Sequence, residues 1–221
     1  AEGVQGTANG LASHVEGTST STDEKALAAH AEGGSTKATN TYSHAEGTST
    51  TASGNAAHAE GAATTAAGSY SHAEGVTSST GASASAAHAE GAANKANGNY
   101  SHAEGDGTTA DGQSSHTEGS GTKAAAKNQH VQGAYNVEDT EGKYAHIVGG
   151  GTGDDDRKNI QTLDWEGNET IAGDYTNGQG DKLHDVASKL ANNLGADNAG
   201  KALLVGETGD VEPKKLADVM P

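Results

Sequence analysis

The sequence predicts an all-β fold: a parallel β-solenoid with a 14-residue coil, followed by a small β element and a short C-terminal helix. Three observations indicate it. The tetrapeptide HAEG or a close variant recurs along the first two thirds of the 221 residues. Glycine recurs at fixed distances after each histidine, where turns are expected. The short segments between these positions lack the 3.6-residue apolar period of a helix.

The histidines of the repeat are evenly spaced. Successive histidines are 14 residues apart, except for three intervals of 16 residues, and such regular spacing is typical of a stacked array. The ten histidines are His14, His30, His44, His58, His72, His88, His102, His116, His130 and His146. The three 16-residue units start at His14, His72 and His130, and this equal spacing indicates either a repeated block of four coils or a regular means of placing loops on one face.

Each unit has two sites where a turn is expected. Glycine stands three residues after the histidine, as at Gly47, and usually again ten residues after it, as at Gly54 and Gly68. Glycine tolerates left-handed backbone angles, so both positions suit turns. Two strands of about four or five residues joined by these turns would make one coil.

The alternation of side chains along a strand assigns the repeat residues to two faces. His44 and Glu46 share one face, whereas Ser43 and Ala45 share the other. Alanine on the inner face fits a thin roll, with Ala52 on the facing wall. Such a roll has a small core, so we expect several copies of the chain to associate.

Composition excludes several classes of protein. The formal net charge is −17, which argues against binding to nucleic acid or to an anionic membrane. There is no cysteine for a disulfide, and no apolar run approaches the roughly 20 residues of a membrane span. The chain begins within a repeat, so we expect it to be a fragment of a longer protein. No cofactor is expected.

The pattern G-x-x-[AS]-H-A-E-G-x-x-[TN]-x-A resembles the YadA-like head repeat of trimeric autotransporter adhesins, over residues 1–149. Histidine and glutamate replace the valine and isoleucine of that family, and Gln132 and Val148 depart from the HAEG pattern. The resemblance implies a homotrimer of left-handed parallel β-rolls with the His and Glu positions buried between chains. Similar SHAEG arrays occur in tail-fibre and baseplate proteins of phages and prophages.

For the His and Glu positions we predict a hydrogen-bonded ladder that fixes the register of a buried seam. Carboxylates stacked about 4.8 Å apart repel one another and need partners when buried. The ladder comprises His14, Glu16, His30, Glu32, His44, Glu46, His58, Glu60, His72, Glu74, His88, Glu90, His102, Glu104, His116, Glu118, His130 and Gln132.

Two other roles for these positions are less favoured. Three His and three Glu around a three-fold axis could bind an ion. Such axial ions would lie at His44, Glu46, His58, Glu60, His72 and Glu74. Catalysis is disfavoured because a ladder gives every histidine the same environment, so we expect no catalytic residue and no enzymatic activity.

Tyrosine and alanine alternate two residues before the repeat histidine. Tyr42, Tyr70 and Tyr100 are therefore expected on one line in every second coil. We interpret the alternation as packing, in which large and small side chains fill a shared space.

The 16-residue units should protrude at 21–27, 79–85 and 138–144, because each adds two residues at a turn. The candidate ligand contacts in these loops are Asp23, Glu24, Lys25, Gly81, Ser83, Asp139, Glu141 and Lys143. Tyr135 and Tyr144 could stack on a sugar ring, although packing is the favoured role.

The repeat domain, 1–149, is followed by a predicted β-hairpin module, 150–180, and a C-terminal region, 181–221. In the module, the acidic run 154–156 is interpreted as a solvated loop, with Ca²⁺ binding as the alternative. Trp165 is interpreted as a core anchor. In the C-terminal region, 181–195 is predicted to form a helix that exposes His184 and could form a trimeric coiled coil, and 202–205 a strand.

The segment around TLDWEGN resembles a module of phage tail proteins. We therefore expect a homotrimeric, non-enzymatic shaft or head of a phage or prophage tail fibre, located on the virion tail. Its expected partners are a bacterial surface glycan or protein and other tail or baseplate proteins. The alternatives are the head of a bacterial surface adhesin and, third, a polysaccharide depolymerase fibre.

Overall fold

A computed structural model describes residues 1–173, 201–205 and 211–215. The chain comprises two units, Ala1–Ala172 and Gly173–Pro221. In the part that is described, no helix is long and apolar enough to cross a membrane, and the structured elements are strands. The predicted helix over 181–195, with His184, lies outside the described residues.

The first unit contains a long series of short strands. They are β1 (Glu2–Val4), β2 (Thr7–Ala8), β3 (His14–Thr18), β4 (Ser21–Thr22), β5 (His30–Gly34), β6 (Lys37–Ala38), β7 (His44–Thr48), β8 (Thr51–Ala52), β9 (His58–Ala59), β10 (Thr65–Ala66), β11 (His72–Ala73), β12 (Ser79–Thr80), β13 (His88–Ala89), β14 (Lys95–Ala96), β15 (His102–Ala103), β16 (Thr109–Ala110), β17 (His116–Thr117), β18 (Lys123–Ala124), β19 (His130–Ala134), β20 (Tyr144–Gly150), β21 (Asn159–Asp164) and β22 (Glu169–Ile171).

These strands form the two walls of a β-solenoid. The odd-numbered strands β1 to β19, followed by β20, make a parallel wall of 11 strands, here called the first wall. The even-numbered strands β2 to β18 make a second wall of nine parallel strands. From β1 to β18 each coil contributes one strand to each wall, which confirms the predicted solenoid with its 14-residue coil. The wall strands are shorter than predicted, however, since many contain two residues.

Equivalent residues of successive coils lie directly above one another. In the first wall His44 pairs with His58 and Ala45 with Ala59. The 16-residue coils keep this register, because His72 pairs with His88. Their two extra residues are therefore absorbed outside the walls.

The core between the walls consists of small side chains. The alanine of each HAEG is fully buried, as is the alanine eight residues after the histidine, which confirms the predicted thin roll. Residues six positions after the histidine are also buried, and they are Thr20, Thr36, Thr50, Thr64, Ser78, Asn94, Thr108, Thr122 and Asn136. Small side chains allow the walls to approach closely, which leaves no room for a large apolar core.

The corners differ from the prediction. Gly47 has the expected positive φ of 104°. Gly54 and Gly68 do not, and glycine is needed at Gly54 because a Cβ there would overlap the carbonyl of Gly68 in the next coil. At the other corners the left-handed residues are mostly not glycine, for example Tyr42 at φ 57° and Ser49 at φ 59°. Backbone hydrogen bonds between coils hold these corners in place, including one from the Tyr42 amide to the Leu27 carbonyl.

The predicted β-hairpin is present and extends the first wall. β21 pairs antiparallel with β20, and β22 pairs antiparallel with β21. Trp165 follows β21, but it is 50% exposed, so the prediction of a core anchor was wrong. Its indole Nε1 donates a hydrogen bond of 3.0 Å to the Gly142 carbonyl, which fixes the third insertion instead.

In the second unit, β23 (Lys201–Val205) pairs antiparallel with β24 (Val211–Lys215). The strand predicted over 202–205 is confirmed. The segment 211–215, for which no strand was predicted, is its partner strand and pairs its backbone groups.

Candidate functional site

The histidines form a continuous column on the outer face of the first wall. From His14 to His130 each begins its wall strand, and parallel register places it over the histidine of the next coil. From His30 to His130, successive ring centroids lie 4.7–4.9 Å apart with interplanar angles of 2–11°. Only the end pairs are tilted, at 56° for His14 with His30 and 38° for His130 with His146. The backbone repeat thus produces a stack of imidazoles.

A second column, of glutamates, runs beside the histidines. Between His14 and His130, histidine Nε2 atoms lie 3.2–3.9 Å from the carboxylate of their own coil, the preceding coil or both. Nε2 of His58, for example, is 3.9 Å from both Glu46 and Glu60. One contact, from His116 to Glu104 at 3.2 Å, has hydrogen-bond geometry. We call these two columns the His–Glu face.

The His–Glu face is incompletely buried in one chain. Side chains in its middle are about one-third exposed, for example 35% for His58 and 32% for Glu60. Their Nε2 atoms are nevertheless shielded from water. In residues 1–173, shielded Nε2 atoms without a hydrogen-bond partner belong to His30, His44, His58, His72, His88, His102 and His130. One chain therefore leaves the ladder half satisfied, a costly state for polar groups.

Burial keeps several of these histidines neutral. Desolvation lowers the pKa of His44 and His102 below the usual 6.5, and the charge of the next histidine in the stack lowers it further. The same two causes lower the pKa of His30, His88 and His146. Neighbouring glutamates act in the opposite direction but do not outweigh these effects. At neutral pH these five histidines are thus uncharged rings rather than partners in salt bridges.

One carboxylate in the face is also shifted. A hydrogen bond with the side chain of Glu90 lowers the pKa of Glu104, and the hydrogen bond with His116 lowers it further. Glu104 is therefore a stable anion between its neighbours.

Three groups in the face have the donors of a metal site. They are His30–Glu32–His44, His58–Glu60–His72 and His88–Glu90–His102, in each of which the ligand atoms lie within 4.8 Å of one another. Two imidazoles and a carboxylate suit a divalent transition metal. Six residues were predicted to bind an axial ion. Three of them, His58, Glu60 and His72, form the second group, and a fourth, His44, belongs to the first.

The first two insertions expose most of the predicted ligand contacts. Asp23, Glu24 and Lys25 are exposed, whereas Ala26 behind them is fully buried. In the second insertion Ser83 is exposed and Gly81 is half-buried. Each insertion therefore presents a short outer rim and anchors itself through a small residue.

The third insertion is held from within. Glu141 and Lys143 are exposed, but Asp139 is buried, contrary to the expectation that it protrudes. Its Oδ2 accepts hydrogen bonds from the Gln129 side-chain amide at 2.9 Å and from the Tyr144 backbone amide at 2.8 Å. A buried carboxylate needs such donors, which explains its inward position.

An open cavity of about 470 Å³ adjoins this insertion. Its lining includes Glu138, Glu141, Lys143 and Tyr144. The Lys143 ammonium lies 5.1 Å from the centre of the Tyr144 ring. The Tyr135 ring similarly lies 5.5 Å from the guanidinium carbon of Arg157. Each tyrosine considered for sugar stacking thus already has a cation over its ring.

The acidic run 154–156 is engaged with its own loop. Asp154 forms an ion pair with Arg157, and Asp156 accepts a hydrogen bond of 2.7 Å from the Thr152 hydroxyl. Asp155 is exposed. Two of the three carboxylates have protein partners, in agreement with a solvated loop.

Sequence reasoning assigned the wrong environment to one set of residues. Tyr42, Tyr70 and Tyr100 lie on one column, as predicted, but they are 61%, 68% and 62% exposed. They do not fill a packed space within the chain. The alternation of tyrosine and alanine predicts the column, but it does not indicate whether the side chains at this corner point inward or toward solvent.

Neither a scan against protein-family models nor a search of curated proteins finds a significant match to this sequence.

Proposed function

We propose that this chain is a non-enzymatic, homotrimeric shaft that carries recognition surfaces, in a phage or prophage tail fibre. The observation that carries the proposal is the half-satisfied His–Glu face. Its histidine rings are stacked alike from His30 to His130, whereas a catalytic histidine would need an environment different from that of its neighbours.

Association through this face supplies what one chain lacks. A second copy packed on this face would cover the third of side chains such as His58 and Glu60 that one chain leaves exposed. Each chain carries both columns, so around a three-fold axis the histidines of one chain could meet the glutamates of the next. The small alanine core favours association for the same reason. The number three comes from the resemblance to trimeric adhesin heads.

The assignment to a phage tail rests on the SHAEG array and on the segment containing TLDWEGN. In this proposal the fibre is part of the virion tail, joins other tail or baseplate proteins and attaches to a glycan or protein on a bacterial surface. The exposed rims of the insertions are its candidate contacts. The head of a bacterial surface adhesin is the second candidate, because the repeat pattern resembles such heads as well.

Light scattering coupled to size-exclusion chromatography tests the assembly. The full chain should have three times the monomer mass of 21.8 kDa. Replacing Glu46, Glu60 and Glu74 with lysine should yield monomers, because each lysine would face shielded histidines. The matched control places lysine at Thr51, Thr65 and Ser79 on the outer face of the second wall, where Lys37 and Lys95 already occur. A monomeric unsubstituted chain at micromolar concentration contradicts the proposal.

Adsorption to bacteria tests recognition. The labelled full chain should bind cells of a susceptible strain, and deletion of Lys25 and Glu24 should shorten the first rim without disturbing the walls. A further variant shortens all three insertions by two residues each. If it binds cells as well as the unsubstituted chain does, the rims are not the contacts with the bacterial surface.

A further inference from the structure

Three exposed tyrosines form a column along one corner of the solenoid. Tyr42, Tyr70 and Tyr100 are each more than 60% exposed. The column is held in register by backbone hydrogen bonds between successive coils: the Tyr70 amide donates to the Asn55 carbonyl at 2.7 Å and the Tyr100 amide to the Ser85 carbonyl at 2.9 Å. Its position is therefore fixed by the fold.

The fold does not require tyrosine at these positions. The two intervening coils carry Ala56 and Ala86 at the same corner, with the same left-handed backbone; the preceding coil carries Ala28, and later coils carry Ser114 and Asn128. A bulky residue with positive φ is uncommon, and an exposed ring leaves apolar surface in water. Tyrosine at every second coil thus costs stability without a packing role in the chain, which indicates a ligand.

The spacing of the rings identifies the shape of that ligand. Tyrosines two coils apart are separated by about 9.6 Å, twice the spacing of neighbouring strands. An extended β-linked polysaccharide, in which every second sugar presents the same face, repeats over nearly this distance. Sugar rings offer C–H faces that pack on aromatic rings, so one disaccharide unit would meet one tyrosine.

The chemistry beside the rings also fits a sugar. Each tyrosine is preceded by a polar residue, Thr41, Ser69 or Asn99, and Asn55 stands at the same place in an intervening coil. From Thr41 to Ser114 neither of these two corner columns carries a charged side chain. Hydroxyls and amides suit sugar hydroxyls. A protein partner would instead favour a contiguous apolar centre, which the small residues between the rings interrupt.

We propose that the tyrosine column binds a single strand of an extended, uncharged β-linked polysaccharide that lies parallel to the solenoid. This inference rests on the proposed function only for the source of the strand, a bacterial cell surface. Each tyrosine stands two residues before the histidine of its coil, so the column is not part of the His–Glu face. Trimer assembly and glycan binding can therefore be measured separately.

Calorimetric titration of the full chain with chitohexaose, an uncharged β-1,4-linked hexasaccharide, tests the proposal. Maltohexaose, an α-linked hexasaccharide that curls, is the control ligand. The unsubstituted chain should bind chitohexaose and not maltohexaose, and saturation-transfer NMR should locate the sugar on tyrosine. The triple variant Tyr42→Ala, Tyr70→Ala, Tyr100→Ala should lose about ten-fold or more in affinity.

A second variant tests spacing with an unchanged number of rings. The double substitution Ala56→Tyr, Tyr70→Ala keeps three tyrosines but makes their separations about one and about three coils. It should bind as weakly as the triple variant. Both variants use residues that the chain already carries at this corner, and light scattering checks that their assembly is intact.

The inference would be overturned by no binding of chitohexaose, by equal binding of maltohexaose, or by undiminished affinity in the triple variant or in the spacing variant. Dissociation of the triple variant into monomers would also overturn it, because the rings would then hold copies of the chain together. A chain that binds chitohexaose as a monomer would refute the proposed trimer and leave the glycan site standing.

Discussion

Gly61 shows how little one position of the coil can vary. Its φ is 99°, and a Cβ would overlap the carbonyl oxygen of Gly75 in the next coil. The same overlap recurs at Gly33 and Gly47. The glycine of HAEG is therefore required twice, by its backbone angle and by the distance between coils.

Replacing Gly61 with alanine should lower the free energy of unfolding by about 2–4 kcal/mol, because strain and overlap act together. Chemical denaturation monitored by circular dichroism measures the change.

Gly107→Ala is the matched control. Gly107 has φ 67°, and a Cβ there would meet open space. Other coils carry Ser49, Ala63 and Ala93 at this corner with similar angles. We expect a change of less than about 1 kcal/mol. Equal losses in both variants would show that overlap between coils is not the cause at Gly61.

The histidine column should make the protein sensitive to acid. Folded His44 and His102 have pKa values below 6.5, so the unfolded chain binds more protons between the lowered values and about 6.5. The stability they contribute is therefore complete above about pH 6.5 and is lost as the pH falls through this window. The lowered pKa of Glu104 acts in the same direction below its usual value of 4.5.

Thermal unfolding between pH 8 and pH 4.5 tests this expectation, and the melting temperature should fall steadily below pH 6.5. Replacing Glu60 and Glu74 with glutamine should steepen the fall, since these carboxylates raise the pKa of folded His44 and His88 and so partly offset its lowering. A melting temperature that rises on acidification would mean that the histidines are charged in the folded chain.

The third insertion is a loop stabilised by one buried carboxylate. Asp139→Ala would remove the acceptor of the Gln129 and Tyr144 donors. We expect a loss of about 1–3 kcal/mol, because a buried donor is left unpaired. Glu138→Ala, at the exposed neighbour, should change stability by less than about 0.5 kcal/mol. In Asp139→Ala the backbone amide of Tyr144 should exchange its hydrogen faster than in the unsubstituted chain. An unchanged exchange rate at Tyr144 would refute the stabilising role of Asp139.

The strands were predictable from the sequence to the extent that their period was visible. The spacing of histidines such as His44 and His58 determines which residues pair, and the alternation around Ala45 determines which side chain is inside. The corners were not predictable, since Tyr42 and Ser49 adopt left-handed angles that residue type does not indicate. Stacking of the coils imposes those angles, at a small cost per residue.

Contacts outside the repeat pattern could not be predicted from the sequence either. Trp165 lies far along the chain from its partner Gly142, and Asp139 is similarly removed from Gln129. Neither separation matches the period of the repeat. For the candidate site, the sequence placed His44 beside Glu46 correctly but did not reveal that a single chain exposes about a third of each.

The assembled solenoid should tolerate removal of a complete block. Deleting residues 30–87 joins Ala29 to His88, and the register of both walls is kept because the deleted segment is a whole block of four coils. The shortened protein should fold and be about 19 Å shorter. Small-angle scattering and circular dichroism measure length and strand content.

A deletion of residues 30–80 is the control. It ends half a coil earlier and would place residues of one wall above those of the other. We expect it to lose strand content and precipitate or aggregate. If both deletions fold equally well, the coils are not specified by the register described above.

The parallel register has a mechanical consequence. The backbone hydrogen bonds that join one coil to the next run along the stack, so a pull between its two ends loads them in series and opens the outermost coil first. Each coil released would lengthen the chain by about 45 Å, the extended span of one coil minus one strand spacing. A tether of this kind yields in small equal steps and dissipates a sudden load before its far end detaches.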